Sequence, residues 1–165
     1  MTLERVFAGW RNSYVTNVAQ TAPGACPFCD LFGAEVSDRE RLVVHRGDAC
    51  VVLLNLYPYG SGHLLVMPIR HIAHLHELTS DERTEFFQLV VDATVALQSA
   101  YGPDGMNVGA NLGRAAGAGV PGHLHFHALP RWAGDTNFMT TVAETRIVPE
   151  DLATTYDKVH LAWPS

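Results

Sequence analysis

The sequence predicts an α+β domain in which one long helix packs on an antiparallel sheet. Short apolar segments separated by turn residues recur within residues 42–67, which is typical of sequential strands. Apolar residues then follow the 3.6-residue period of a helix over about 81–100. Two further apolar segments, 106–111 and 123–129, complete the predicted sheet. The chain has 165 residues and no internal repeat, so we expect one domain over residues 1–165.

The first half of the predicted sheet is a meander of short strands. Segments 42–45 and 50–55 are joined by residues 46–49, whose glycine and aspartate are typical of a hairpin turn. Residues 57–62 form a second turn, and the strand 63–67 follows it. This spacing predicts antiparallel neighbours.

The long helix has recognisable signals at both ends. Thr79, with Glu82 three residues later, matches a capping box at its start. The glycine- and proline-containing segment 102–105 ends it, and a strand over 106–111 follows. A loop rich in glycine and alanine, 112–122, then leads to the last strand.

Composition and charge exclude several classes of partner. Hydrophobic residues make up 47% of the chain and charged residues 17%, and the formal net charge is −6. A nucleic-acid groove or a membrane-binding patch needs clustered lysine and arginine, which the sequence lacks. The first ten residues lack a signal-peptide pattern, and no apolar run approaches the ~18–20 residues of a membrane helix. Three cysteines do not make an even disulfide set, so we expect a cytoplasmic protein.

Histidines occupy alternate positions in the last predicted strand, at His123, His125 and His127. Residues two apart on a strand share a face and lie roughly 6.5–7 Å apart, about the width of a phosphate group with its oxygens. Imidazoles make a poor core because their nitrogens need polar partners, so this face indicates chemistry. Two alternatives are the polar face of a surface strand and a three-histidine zinc site. Rings along one strand diverge, which disfavours a single ion.

The segment 116–122, immediately before these histidines, is rich in glycine. Glycines let backbone N–H groups approach an anion without interference from side chains. We therefore interpret the segment as the second wall of a phosphate pocket.

The pair Cys26-Pro-Phe-Cys29 suggests a metal site or a redox motif. No strand leads into it and no helical pattern follows over 30–38, which disfavours the redox motif. Two thiolates need two more ligands for tetrahedral zinc, and histidine is the usual complement. The remaining alternative is that two unrelated cysteines have this spacing by coincidence. The candidate histidines are His71, His74, His76 and one member of the triad.

Together these motifs resemble the histidine triad (HIT) superfamily, over roughly residues 26–138. Its alternating motif matches His123-Leu-His-Phe-His-Ala-Leu129, and its upstream block matches Asn55-Leu-Tyr-Pro-Tyr-Gly-Ser-Gly-His63 with Pro68. Pro130-Arg-Trp132 and Gly134-Asp-Thr-Asn-Phe-Met139 resemble bacterial proteins related to diadenosine tetraphosphate phosphorylase and to fragile-histidine-triad hydrolases. One departure is the Ala118-Gly-Val120 stretch, where many relatives have a polar Gln or Ser.

The resemblance implies a HIT-like fold and nucleotidyl transfer to His125, with His127 and His63 flanking the phosphate. It places four further residues at the nucleotide or phosphate: Asn55, Asn111, Gly117 and Gly119.

It also implies a structural zinc ion and a homodimer formed through the long helix and a sheet edge. The zinc ligands would be Cys26, Cys29, His71 and His123. No organic cofactor is expected.

The expected substrate is a dinucleoside polyphosphate such as diadenosine tetraphosphate. Inorganic phosphate is the co-substrate if the enzyme is a phosphorylase, which is favoured slightly over a hydrolase. The alternatives are a purine nucleoside phosphoramidase and a non-catalytic nucleotide-binding sensor.

Overall fold

The computed structural model describes residues 26–33, 36–135 and 150–164. Within these residues, five strands form one sheet, with three α-helices and two 3₁₀ turns around it. The elements in chain order are α1 (Pro27–Gly33), β1 (Val43–Arg46), β2 (Cys50–Leu54), β3 (Leu64–Pro68), a 3₁₀ turn (Leu75–Glu77), α2 (Ser80–Tyr101), β4 (Gly105–Gly109), a second 3₁₀ turn (Arg114–Ala116), β5 (Phe126–Arg131) and α3 (Leu152–Leu161).

The sheet has the order β1-β2-β3-β5-β4, and every neighbouring pair is antiparallel. The predicted α+β class with an antiparallel sheet is therefore confirmed. In the β3–β5 pair, Leu65 lies opposite His127. His63, two residues before Leu65, is consequently diagonal to His127 on the same face. The sheet thus brings together two histidines that are 64 positions apart in the sequence.

Each face of the sheet carries its own apolar cluster, because β2 and β3 are buried on both sides. One face packs against α2, whose Phe86 and Leu97 are fully buried there. The other face carries the histidines and packs against α1 through Phe28. The strand residues in the second cluster are Val43, Val51, Leu53, Leu65 and Met67.

The boundaries of α2 agree closely with the sequence signals. The Thr79 side chain accepts a hydrogen bond from the Glu82 N–H, and the Glu82 carboxylate accepts one from the Thr79 N–H at 2.8 Å. The helix ends at Tyr101, and Gly102 follows in the left-handed conformation with φ of 53°. The predicted capping box and glycine stop are both confirmed.

Two local predictions were wrong, and one helix was not predicted. The last strand begins at Phe126, so His123 and His125 precede it. The reason is that the N–H of Leu124 donates to the Ile72 carbonyl, which pairs this stretch with the 69–78 connection. A helix, α1, does follow Cys26, but its seven residues are too short to show a periodic pattern. The helical tail α3 was also missed.

Some expectations lie outside the described residues. These include the first 25 residues and positions 136–139 of the segment that favoured the phosphorylase branch. Within the described ranges, none of the helices has both the length and the apolar character needed to cross a membrane. That residues 1–165 form one domain stays a prediction.

Candidate active site and metal centre

His125 lies at the centre of the candidate active site and is 7% exposed. Its Nδ1 is 2.8 Å from the His123 carbonyl oxygen. A carbonyl only accepts, so Nδ1 carries the hydrogen and Nε2 is left with its lone pair. Burial lowers the pKa of His125 below its usual range, which favours the neutral ring. A neutral imidazole with a bare, fixed nitrogen has the form required of a nucleophile.

His63 and His127 lie beside it as a hydrogen-bonded pair. His63 Nε2 is 2.9 Å from His127 Nδ1, and the His127 ring lies edge-on to His125 with centroids 5.2 Å apart. The Tyr59 ring packs against both members of the pair, with centroid distances of 4.6 Å to His63 and 5.8 Å to His127. The structure therefore brings the three predicted catalytic histidines together.

Asn55 reaches this group from the end of β2. Its Nδ2 is 3.3 Å from His63 Nδ1, and its Oδ1 accepts a hydrogen bond from the Tyr57 N–H at 2.9 Å. The predicted nucleotide-binding residue is thus in direct contact with a predicted catalytic histidine.

The glycine-rich loop is partly closed on itself. The Gly117 N–H donates to the Arg114 carbonyl at 3.0 Å, and the Ala118 N–H donates to the Gly113 carbonyl at 3.3 Å. Gly117 adopts a left-handed φ of 89°, a conformation that requires glycine here. For the Gly117 amide to bind a phosphate, this turn must open. Asn111 and Gly119, the other two predicted positions, are half-buried at either end of the loop.

Cys26, Cys29, His71 and His123 meet in a second cluster, and their ligand atoms all lie within 4.8 Å of one another. Cys26 Sγ is 3.4 Å from His123 Nδ1, and Cys29 Sγ is 3.2 Å from His71 Nδ1. Tetrahedral zinc with its usual bond lengths places S and N ligands about 3.5 Å apart, so these distances lie within about 0.4 Å of those in a zinc site. The donor set of two thiols and two imidazoles also suits that ion.

His123 is held in the orientation that a metal ligand needs. Its Nε2 lies 2.8 Å from the Pro68 carbonyl, to which it donates, so its Nδ1 lone pair points into the cluster. Burial lowers the pKa of His123. Burial also raises the pKa of the Cys29 thiol to about 11, so a metal ion binding there would displace a proton. His74 and His76 stack on each other at 5.3 Å, and neither belongs to the cluster.

Two supporting contacts were not foreseen from the sequence. Arg70, next to His71, donates to both carboxylate oxygens of Glu82 at 2.8 and 2.7 Å, and also to the Glu77 carbonyl. These hydrogen bonds attach the 69–78 connection, which carries His71, to the start of α2. The hydrogen bonds from Arg70 and Thr79 lower the pKa of Glu82 to about 2.

The second unforeseen contact is made by Phe28, a residue of α1 that lies between Cys26 and Cys29 in the sequence. Its ring contacts His123 and His125 edge-on, at 5.5 and 5.3 Å. No sequence signal identified it, although it is the third residue of the C-x-x-C motif.

Comparison with known protein families matches residues 37–134 to the HIT domain. The chain belongs to the HIT domain family. The family expected from the sequence is confirmed, and the triad and the Asn55–Pro68 block both lie within the matched region.

Individual HIT proteins resemble the chain over much of its length. A protein named AP-4-A phosphorylase from Mycobacterium tuberculosis is 36% identical over 167 residues, which cover 98% of this chain and 85% of that protein. An adenosine 5'-monophosphoramidase from Schizosaccharomyces pombe is 37% identical over 109 residues, 65% of this chain and 74% of that protein. The crystal structure of a hypothetical histidine triad nucleotide-binding protein from Sulfolobus tokodaii matches with a TM-score of 0.66 and 27% identity, covering 83% of this chain and 91% of that one.

Proposed function

We propose that this HIT protein is a nucleotidyl transferase that cleaves dinucleoside polyphosphates such as diadenosine tetraphosphate, with His125 as the nucleophile. The observation that carries the proposal is the buried His125 ring, whose Nε2 lone pair is bare because its Nδ1 is bound to a backbone carbonyl. The relative named AP-4-A phosphorylase, which aligns with 98% of the chain, supports this substrate class.

The proposed chemistry splits one difficult displacement into two easier ones. His125 Nε2 attacks the α-phosphorus, a nitrogen–phosphorus bond forms, and the bond to the leaving nucleoside polyphosphate breaks. His127, which is held by its hydrogen bond to His63, donates a hydrogen bond as charge builds up on the phosphate oxygens. In the second step an acceptor takes the nucleotide from His125 and restores the free imidazole.

The acceptor defines the reaction. Inorganic phosphate gives a phosphorylase that releases ADP, and water gives a hydrolase that releases AMP. We place phosphorolysis first because the relative with that name spans nearly the whole chain. The second candidate is a purine nucleoside phosphoramidase, favoured by the relative with that activity in its name, which aligns with 65% of the chain. A non-catalytic nucleotide sensor is the alternative from another class.

The nucleotide contacts form part of the proposal. Asn55 and Asn111 would contact the nucleotide from two sides of the histidine group, and Gly117 and Gly119 would face the phosphates once the turn at Gly117 opens. We propose no organic cofactor.

We also propose a structural zinc ion held by Cys26, Cys29, His71 and His123, whose donor atoms fit a tetrahedral site. When bound, zinc supplies a cross-link and takes no part in the reaction. It would tie α1 to the segment before β5, which keeps Phe28 against His125.

A homodimer is proposed from the exposed apolar surface beside β4, an edge strand of the sheet that the described residues form. Phe87, Val91 and Val95 of α2 are exposed, and so is Val108 of the edge strand β4. A second copy packing there would remove these side chains from water. A cytoplasmic location also stays a prediction, in keeping with three free cysteines.

The test is incubation with diadenosine tetraphosphate, with and without inorganic phosphate, and separation of products by ion-exchange chromatography. ADP and ATP formed only with phosphate would support the phosphorylase, whereas AMP and ATP formed without it would indicate a hydrolase. Release of AMP from an adenosine phosphoramidate, with the dinucleotide intact, would favour the second candidate. Nucleotide binding without turnover of either substrate would refute the enzyme.

A further inference from the structure

We propose that Arg114 is a specificity-determining residue that binds the phosphates beyond the one attacked, both in the leaving polyphosphate and in an incoming inorganic phosphate. The inference rests on the proposed function, which makes these phosphates the leaving group and the acceptor. Two observations carry it: the distribution of charge around the histidine group and the position of Arg114 in the glycine-rich loop.

The segments that carry the histidine group contain almost no permanent charge. Residues 55–63 have none, and Arg114 is the only permanently charged residue within 105–130. The net charge of the whole chain is −6, so its overall field does not attract a polyanion. Backbone amides and neutral imidazoles supply only partial positive charge. A polyphosphate therefore needs a full positive charge in the site, and Arg114 provides one.

The Arg114 side chain is available to an anion. Five other cations each form an ion pair with a carboxylate: Arg39, Arg46, Arg70, Arg131 and Lys158. Arg114 is exposed, and within the described ranges its guanidinium has neither an ion pair nor a hydrogen bond. A phosphate can bind it without breaking an existing contact.

The register of the sheet places the start of the loop beside the histidines. Gly109, the last residue of β4, lies opposite His127. Continuing this antiparallel register brings Asn111 to the level of His125. Arg114 follows Asn111 by three residues, which span at most about 10 Å. Its long side chain ends in a planar fork that suits phosphate oxygens, so it can reach phosphates that extend away from His125.

The turn that carries Arg114 lies between two glycines in the left-handed conformation. Gly113 precedes it with φ of 81°, and Gly117 follows it with φ of 89°. A Cβ atom placed on Gly113 would have no other atom within 4 Å, so the space around this end of the turn is open. When the turn opens to free the Gly117 amide, Arg114 moves with it. The guanidinium and the amide can then bind the same polyphosphate.

The chemistry of the two displacements brings the leaving group and the acceptor to one place. Attack at phosphorus is in line, so the group that departs lies on the far side of phosphorus from His125 Nε2. In the second step a phosphate oxygen bonds to phosphorus from that same side, the nitrogen–phosphorus bond breaks, and His125 recovers its lone pair. A cation at this position therefore acts in both steps.

This position gives Arg114 an influence on which reaction occurs. Inorganic phosphate is an anion and gains from the guanidinium, whereas water is neutral and gains nothing. The amine that leaves a phosphoramidate carries no phosphate, so Arg114 should contribute little to that reaction. Arg114 thus favours polyphosphates as substrates and phosphate as the acceptor.

The first experiment compares nucleotide binding by the unmodified protein and Arg114→Gln, with AMP and ATP as the probes in calorimetry. We expect the variant to bind ATP about tenfold more weakly, because only ATP extends beyond the α-phosphate. The AMP affinity should stay within about twofold. The effect on ATP should shrink as the salt concentration is raised from about 50 to 500 mM, since an exposed charge is screened.

Arg83→Gln is the matched control. It removes the same charge from an exposed position on α2, where the guanidinium donates to the Leu78 carbonyl. This variant should bind both nucleotides as the unmodified protein does. Equal losses of ATP and AMP affinity in Arg114→Gln would overturn the proposal, and so would an ATP affinity no lower than that of Arg83→Gln.

The second experiment follows the acceptor with diadenosine tetraphosphate as the substrate. Arg114→Gln should raise the KM for inorganic phosphate about tenfold and increase the share of AMP relative to ADP, whereas Arg114→Lys, which keeps the charge, should have an intermediate KM. Release of AMP from an adenosine phosphoramidate should change less than about twofold. An unchanged KM for phosphate in Arg114→Gln would overturn the proposal. If the unmodified protein forms no ADP from the dinucleotide and phosphate, the proposed phosphorolysis fails and the ATP and AMP affinities alone decide the inference.

Discussion

Replacing Glu82 by glutamine is expected to cost about 1–2 kcal/mol of folding stability at neutral pH. Glu82 is 9% exposed, and its carboxylate binds Arg70 through two hydrogen bonds. A carboxyl pKa that falls from 4.5 to about 2 on folding corresponds to roughly 3 kcal/mol. The Arg70 side chain is about half exposed, so solvent screening reduces this figure to the expected range.

The sign of the pH dependence follows from the lowered pKa. The folded state keeps Glu82 ionised below pH 4.5, whereas the unfolded state takes up a proton there. The contribution is fully present above about pH 5 and disappears as the pH falls towards 2. Glutamine retains an oxygen that can accept from the Thr79 N–H, so the variant keeps the helix cap and removes the charge together with one acceptor for Arg70.

Urea unfolding at several pH values between 7 and 3 provides the measurement. The stability difference between the unmodified protein and Glu82→Gln should shrink steadily below pH 5. Asp81→Asn is the matched control, because it removes an exposed carboxylate from the same helical turn. A stability difference that stays constant across this pH range would show that the charge of Glu82 contributes nothing and would refute the reasoning.

Three further predictions concern the site and the surface. His125→Asn should lower the turnover of diadenosine tetraphosphate more than about a thousandfold, whereas the nucleotide affinity measured by calorimetry should change only severalfold. A parallel loss of turnover and affinity would contradict a nucleophilic role. Cys29→Ser should reduce the zinc content, measured by elemental analysis, well below about one ion per chain. Cys50→Ala, which changes a buried cysteine outside the cluster, should retain the zinc. Equal zinc contents in both variants would contradict the ligand assignment. Val91→Glu, at a side chain 54% exposed, should convert a dimer to a monomer in light scattering, and an unchanged dimer would exclude this face.

The parts of the fold that sequence could predict are those where local signals and tertiary packing agree. The helix from Ser80 to Tyr101 has a capping box, a periodic apolar face and a glycine stop, and each signal acts within a few residues. The hairpin around Gly47 was likewise predicted from its local turn residues. A distant residue also stabilises it, because the Glu85 carboxylate accepts hydrogen bonds from the Ala49 and Cys50 N–H groups.

The parts that could not be predicted depend on contacts between distant segments. Alternating histidines predict a continuous strand, but the N–H of Leu124 donates to the Ile72 carbonyl, so the strand begins three residues after His123 and one after His125. The local pattern of residues 123–129 cannot predict a hydrogen bond to Ile72, which is distant in the sequence. For the same reason the residues alone left three histidines open as partners of the cysteines, and only the family resemblance singled out His71.

The structure also explains why the triad does not form a three-histidine metal site. The Nδ1 atoms of the three rings have different partners: the cysteine cluster for His123, a backbone carbonyl for His125, and His63 for His127. Rings that are committed to separate partners cannot converge on one ion. Each partner also determines which nitrogen keeps its lone pair, which suits His123 to the proposed role of metal ligand and His125 to the proposed role of nucleophile. Because the cysteines and His63 come from distant segments of the chain, the distinction between the three rings depends on how the chain folds around the motif.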